Sequence, residues 1–201
     1  MTSPAELYNS LPSVEEADEK FTDRERIFSM LVPILRGYED KFGINLVHGH
    51  AKLEKGEKMI TNGKESWPRS DVEGYPERWL ATGQPYVFNV KETESPPTDL
   101  SNRLKEVFSI AGDINGIDIL GIAYLGNLPL PSHEVFMETT HGRVDTVNLV
   151  PIDHEGMLWT CWRSVNGGMR PLYTCQKGWN GRHVGTIAPN HHDDIDPVEQ
   201  P

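Results

Sequence analysis

Between residues 117 and 176 the chain reads as five short strand-like runs separated by turn residues, at 117–125, 134–139, 144–150, 157–165 and 171–176. This succession constrains the fold more than any other feature. The runs favour β-branched and aromatic residues and are bounded by Gly, Pro, Asn or Asp, as strands of a sheet are. Connections of a few residues cannot carry a crossover, so neighbouring late runs are expected to pair antiparallel. Asn166-Gly167-Gly168 supplies the backbone freedom of a tight turn, which makes 157–165 and 171–176 one hairpin.

Ahead of these runs the period of the apolar residues is helical. In 22–41, Ile27, Phe28, Leu31, Ile34, Leu35 and Tyr38 share one face. Thr22 with Glu25 forms a capping-box pattern, and Gly43 ends the element. Pro33 should kink this long N-terminal helix or split it. A second helix is expected over 100–110, with Leu100, Leu104, Val107 and Phe108 inward and Gly112 as its stop. Asn62-Gly63 marks a turn, 86–90 a strand, and Tyr75-Pro76-Glu77-Arg78-Trp79-Leu80 a short helix with Pro76 near its first turn. The expected fold is therefore α+β. A single domain over 21–187 holds a curved antiparallel β-sheet, which could be barrel-like, with the long helix on one face or end. Residues 1–20 read as a flexible acidic segment, and 188–201 as a disordered acidic tail.

Nineteen Lys and Arg against thirty Asp and Glu leave a formal charge of −11. Nucleic acid and anionic membrane surfaces are poor partners for such a chain. A small molecule or another protein fits better, and a homo-oligomer is compatible with the sequence. The first twenty residues carry no basic, apolar leader, and no uncharged run approaches the roughly 18 residues of a spanning helix. With only two cysteines, Cys161 and Cys175, the expectation is a cytoplasmic protein. These cysteines flank the 166–168 turn, so a cross-strand disulfide or two buried thiols can result, and a reducing compartment favours the thiols.

The stretch around His48 and His50 carries the candidate chemistry. From Ile44 the period is two, so Ile44, Leu46, His48 and His50 are expected on one inward strand face. Two imidazoles projecting from one strand make a metal half-site. Glu54 is the local candidate for a third ligand, and His133, His141, Glu138 and His183 are distant ones. Such a set suits one divalent transition metal: Zn, Fe, Mn or Cu. The same pair could instead serve as catalytic acid and base. The plainer reading is that each ring finds a carbonyl, or that the strand end faces solvent. Glu54-Lys55-Gly56-Glu57-Lys58, with alternating signs around a glycine, also reads as a solvated turn. Arg78 and Glu77 either orient a substrate or seal a helix start.

Gly43, His48, His50 and Glu54 together resemble the first motif of cupins, small β-barrels with a metal in the mouth. The resemblance implies metal ligands at His48, His50 and Glu54. Its second motif has no counterpart; 129–133 is the nearest stretch and lacks the glycine. A second likeness rests on Lys41-Phe42-Gly43, Leu46-Val47-His48-x-His50 and Pro76-Glu77-Arg78-Trp79 with Gly83. This combination resembles a family of small fungal intracellular proteins, which implies a cytoplasmic single domain and no particular activity. No phosphate-binding loop, dinucleotide fingerprint, nucleophile elbow or paired CxxC is present. The reading is a protein that binds or transforms a small organic molecule in a pocket lined by His48 and His50. The competing class is a non-catalytic binding protein with structural histidines.

Overall fold

The computed structural model describes residues 2–126 and 128–176. The expected 188–201 tail and His183 lie outside these. Three helices lead: α1 (Pro4–Asn9), α2 (Val14–Lys20) and α3 (Arg24–Leu35). Five strands follow: β1 (Phe42–Leu46), β2 (Lys58–Asn62), β3 (Glu65–Arg69), β4 (Tyr75–Leu80) and β5 (Pro85–Asn89). Then come α4 (Thr98–Ala111) and the short strands β6 (Asp113–Ile114) and β7 (Ile117–Asp118). The chain continues through β8 (Leu120–Tyr124), β9 (Glu134–His141), β10 (Val144–Pro151), β11 (Met157–Val165) and β12 (Gly168–Gln176).

Ten strands close into a barrel in the order β1-β11-β12-β9-β10-β3-β2-β5-β4-β8, and β6 pairs only with β7. The α+β class and the barrel-like closure match the sequence reading. The sheet is not purely antiparallel, because β12 pairs with β9 and β2 with β5 in parallel. In both cases the intervening strands act as the crossover that parallel neighbours require. The β11–β12 hairpin turns at Asn166 and Gly167, both at positive φ (51° and 80°).

Both sides of the barrel wall carry packed side chains. Outside, Ile44, Leu46, Trp79, Ile122 and Trp162 pack with Ala17, Phe21, Ile27, Leu31, Leu35, Leu104 and Phe108 of the helices. Phe21 and Phe28 set their rings against Trp162 at centroid distances of 5.9 and 5.2 Å. Inside, alternate residues of β9 and β12 (Phe136, Glu138 and Thr140; Tyr173 and Cys175) face Arg78, Ala123 and Cys161. At one seam the strands approach so closely that only glycine fits. A Cβ on Gly43 would lie 2.6 Å from the Trp162 carbonyl oxygen, so this glycine serves the sheet rather than a helix end.

Several expectations are corrected. The long N-terminal helix over 22–41 is absent. Helix α3 spans twelve residues, passes through Pro33 and stops two residues later. The described residues 2–20 are not a loose lead-in. They form α1 and α2, each closed by a reciprocal capping box, Ser3 with Glu6 and Ser13 with Glu16. Tyr8, Val14 and Ala17 on these helices are buried. The segment 75–80 is strand β4, not a helix, with its alternation broken by bulges between Pro76 and Trp79. No helix among the described residues is long and apolar enough to cross a membrane.

Candidate metal centre

Strand β1 ends at Leu46, so its alternation does not govern the histidines. Ile44 and Leu46 point to the helix layer, while Val47, His48, Gly49 and His50 leave strand geometry. This short irregular stretch turns both imidazoles inward. Their ring centroids lie 4.6 Å apart, inclined at 56°. Helix α1 lies against the same stretch: the Tyr8 hydroxyl accepts the His50 N–H at 3.1 Å, and the Pro12 carbonyl accepts the Gly49 N–H. Asn9 and Leu53 exchange a reciprocal pair of hydrogen bonds beside them.

The two histidines meet Glu138 of β9 and Cys175 of β12, which the parallel pairing places directly opposite each other. One donor atom from each of the four lies within 4.8 Å of all the others. All four residues are buried, between 0 and 7% exposed. Cys175 Sγ is 3.4 Å from His48 Nε2, 4.0 Å from His50 Nε2 and 3.4 Å from Glu138 Oε2. His50 Nε2 and Glu138 Oε2 are 3.8 Å apart. Ligands about 2.0–2.3 Å from a tetrahedral ion stand about 3.3–3.7 Å from one another. Two of the separations, at 3.4 Å, already match that figure, and the 3.8 and 4.0 Å pairs need contraction. This group could hold a metal ion.

The far side of each donor is also fixed. His48 Nδ1 lies 2.7 Å from the Leu46 carbonyl oxygen; a carbonyl only accepts, so the proton is on Nδ1 and the lone pair on Nε2. His50 Nδ1 faces Thr140 Oγ1 at 3.3 Å and Asp145 Oδ1 at 3.4 Å, and the Thr140 hydroxyl donates to that same carboxylate. Ligating histidines are commonly oriented by such outer partners. Arg78 donates from Nη2 to Glu138 Oε1 at 2.6 Å, leaving Oε2 turned to the cluster.

Burial, then the neighbouring His50, lowers His48 to about 3, so its imidazole is neutral at physiological pH. Burial would raise Glu138, but Arg78 and the two histidines outweigh it and hold the carboxyl at about 2. Burial, with Glu138 and Asp145 nearby, pushes the Cys175 thiol well up. Without an ion, the thiol can donate to Glu138 Oε2.

Glu54 is not brought to this group. It is exposed, and its nearest charged partner is Arg143, 3.9 Å away. Glu138, a distant candidate from sequence, takes the carboxylate position, and Cys175, read from sequence as a disulfide partner or a buried thiol, supplies a donor the sequence did not offer. The cysteines are both free and buried, with no disulfide. His141 and His133 are likewise outside the four-donor group.

The barrel also holds a partly open cavity of about 520 Å³, lined among others by Arg78, Glu138, Cys161, Phe136, Tyr173 and Leu125. Neither histidine lines it, contrary to the sequence expectation. Glu138 is shared: one oxygen faces the donor cluster, the other meets Arg78 on the cavity side. Cys161 in the cavity wall is pushed by burial up to about 12, which leaves it a thiol rather than a nucleophilic thiolate.

Fold and site together define a class: a closed ten-stranded barrel with a short helix packed on its histidine stretch and four buried soft and hard donors beside a partly open cavity. No known protein family, curated protein or solved structure matches the chain. The functional reading therefore rests on the geometry alone.

Proposed function

We propose that this protein is a metal-holding barrel that binds one zinc ion through His48 Nε2, His50 Nε2, Glu138 Oε2 and Cys175 Sγ, and a small organic molecule in the adjoining cavity. The observation that carries the reading is the convergence of four buried donor atoms, all within 4.8 Å of one another. Two neutral imidazoles, one thiolate and one carboxylate are a donor set that suits zinc. Glu138 and the thiolate balance the ion's charge. Four protein donors saturate a tetrahedral ion, which favours a structural, ligand-organising role over activation of a bound water. The low proton affinity of His48 argues in the same direction, because an imidazole that stays neutral to about pH 3 is a ligand rather than a proton shuttle.

The test is elemental analysis of protein purified without a metal-affinity step, followed by chelation and titration with zinc. The expected result is one zinc per chain. Cys175→Ser and His48→Ala should each bind at least tenfold more weakly, since each removes a direct ligand. Wild-type protein that arrives free of transition metal and binds zinc no better than these variants would end the metal reading. Stoichiometric iron, copper or manganese would keep the site and change the ion.

A further inference from the structure

The chemical class of the cavity's ligand can be argued from which of its polar groups still have bonding capacity. On the inner wall Glu138 is engaged through both oxygens, while Glu77 and Glu92 share the lining with Lys64 and Lys91. Glu138 Oε1 accepts from Arg78, and its Oε2 faces Cys175. Glu77 Oε1 accepts from Asn89 Nδ2 at 2.7 Å. The donors are not used up. Arg78 spends one nitrogen on Glu138, and its side chain keeps 16% exposure within the barrel. A guanidinium carries five N–H groups in a planar fork suited to a carboxylate. The remaining fork of Arg78 has no acceptor among the described residues and borders the cavity.

The charge at this wall also depends on the neighbouring centre. A divalent ion would take up the charges of Cys175 and Glu138, and Arg78 would then keep only the weaker influence of Glu77 as counter-charge on the cavity side. Burying a guanidinium in that state is costly, and an anion relieves it. The shape of the remaining wall sets the rest of the ligand. Phe136 and Tyr173 stack at 5.1 Å with their planes 30° apart, and Arg78 lies 5.8 Å from the Tyr173 ring centroid. Leu125 and Ala123 continue this apolar surface. A volume of about 520 Å³ is in the ordinary range for small-ligand sites.

We infer that the cavity is a binding site for a flat aromatic monocarboxylate, its carboxylate on the outward fork of Arg78 and its ring along the Phe136–Tyr173 stack. The inference rests on the reading of the cavity as a ligand chamber beside the metal centre, and it names what enters.

Calorimetric titration with 2-naphthoate and with its neutral counterpart 2-naphthalenemethanol, on zinc-loaded and on metal-free protein, tests it. The zinc-loaded protein should bind one naphthoate, at least tenfold more tightly than the alcohol, with a smaller preference after chelation. Arg78→Lys should weaken naphthoate at least tenfold and leave the alcohol nearly unchanged. Tyr173→Leu should weaken both. Equal affinity for acid and alcohol in both states overturns the inference, as does no binding of either, or undiminished binding by Tyr173→Leu. If zinc fails to bind but the preference for the acid persists, the metal reading falls and the cavity assignment stands.

Discussion

The Arg78–Glu138 pair is the joint between the two halves of the barrel interior, and its strength can be worked out. The charged groups touch at 2.6 Å, with side-chain exposures of 16% and 7%. Charge centres about 4 Å apart interact by roughly 4 kcal/mol at an effective dielectric of about 20. Removing one partner leaves the other charge buried and unpaired, which typically costs about 3–5 kcal/mol. Removing both with apolar groups of similar size avoids most of that cost. In chelator, Arg78→Met and Glu138→Met should therefore each lose about 3–5 kcal/mol, and the double variant should lie within about 2 kcal/mol of wild type. For a domain of this size each kcal/mol shifts the melting temperature by about 2–4 °C, so the singles should melt some 6–20 °C lower. Urea unfolding of the four proteins gives the coupling energy directly. A coupling below about 0.5 kcal/mol would mean that water screens the pair, and the argument that Arg78 aims Glu138 at the cluster would fail.

Further perturbations reach other parts of the fold. Gly43→Ala should destabilise by more than about 2 kcal/mol in urea unfolding, because the new methyl meets the Trp162 carbonyl across the β1–β11 seam; near-neutral behaviour would show that the seam can spread. Arg163 is buried, with Nη1 on the Leu128 carbonyl but Nε and Nη2 without acceptors among the described residues, so Arg163→Met should stabilise by about 1 kcal/mol; a loss of similar size would refute that cost. Asp118 faces Asp113 across the β6–β7 ribbon, and burial plus this like charge raises its carboxyl. The native state thus holds that proton more tightly than the unfolded chain. Its stabilising effect is fully present below the ordinary carboxylate range and fades as pH rises through the raised value. Asp118→Asn should gain a few tenths of a kcal/mol at pH 7 and none at pH 3, read from paired melting curves; an equal gain at both would exclude charge as the cause.

Much of the frame was legible in the sequence. The turn chemistry at Asn166–Gly168 located the last hairpin, the 3.6-residue spacing of Leu100, Leu104, Val107 and Phe108 located α4, and the late runs are strands. The reading of 75–80 failed because Pro76 followed by Glu77 and Arg78 imitates a helix start, whereas the segment is a bulged strand paired on both sides. The N-terminal helices were missed because acidic composition outweighed the Ser-x-x-Glu signals at Ser3 and Ser13 that do cap them. At the site, His48 and His50 stood out because they are neighbours in sequence. Cys175 is 127 positions from His48 and 37 from Glu138. Only the parallel β9–β12 pairing sets Cys175 opposite Glu138, and local patterns do not encode such pairings. The available hint was that Glu138 lies two residues after Phe136 and two before Thr140, on the same face of β9.

Helix α1 has a kinetic consequence. With Tyr8 bonded to the His50 backbone and all four donor residues buried, an ion can reach or leave its seat only when that helix lifts or the wall breathes. Exchange would then run at the pace of local opening, far slower than diffusion, and chelators would strip the protein at a rate independent of their own concentration. The first turn of the chain would act as a latch, deciding how long a captured ion stays.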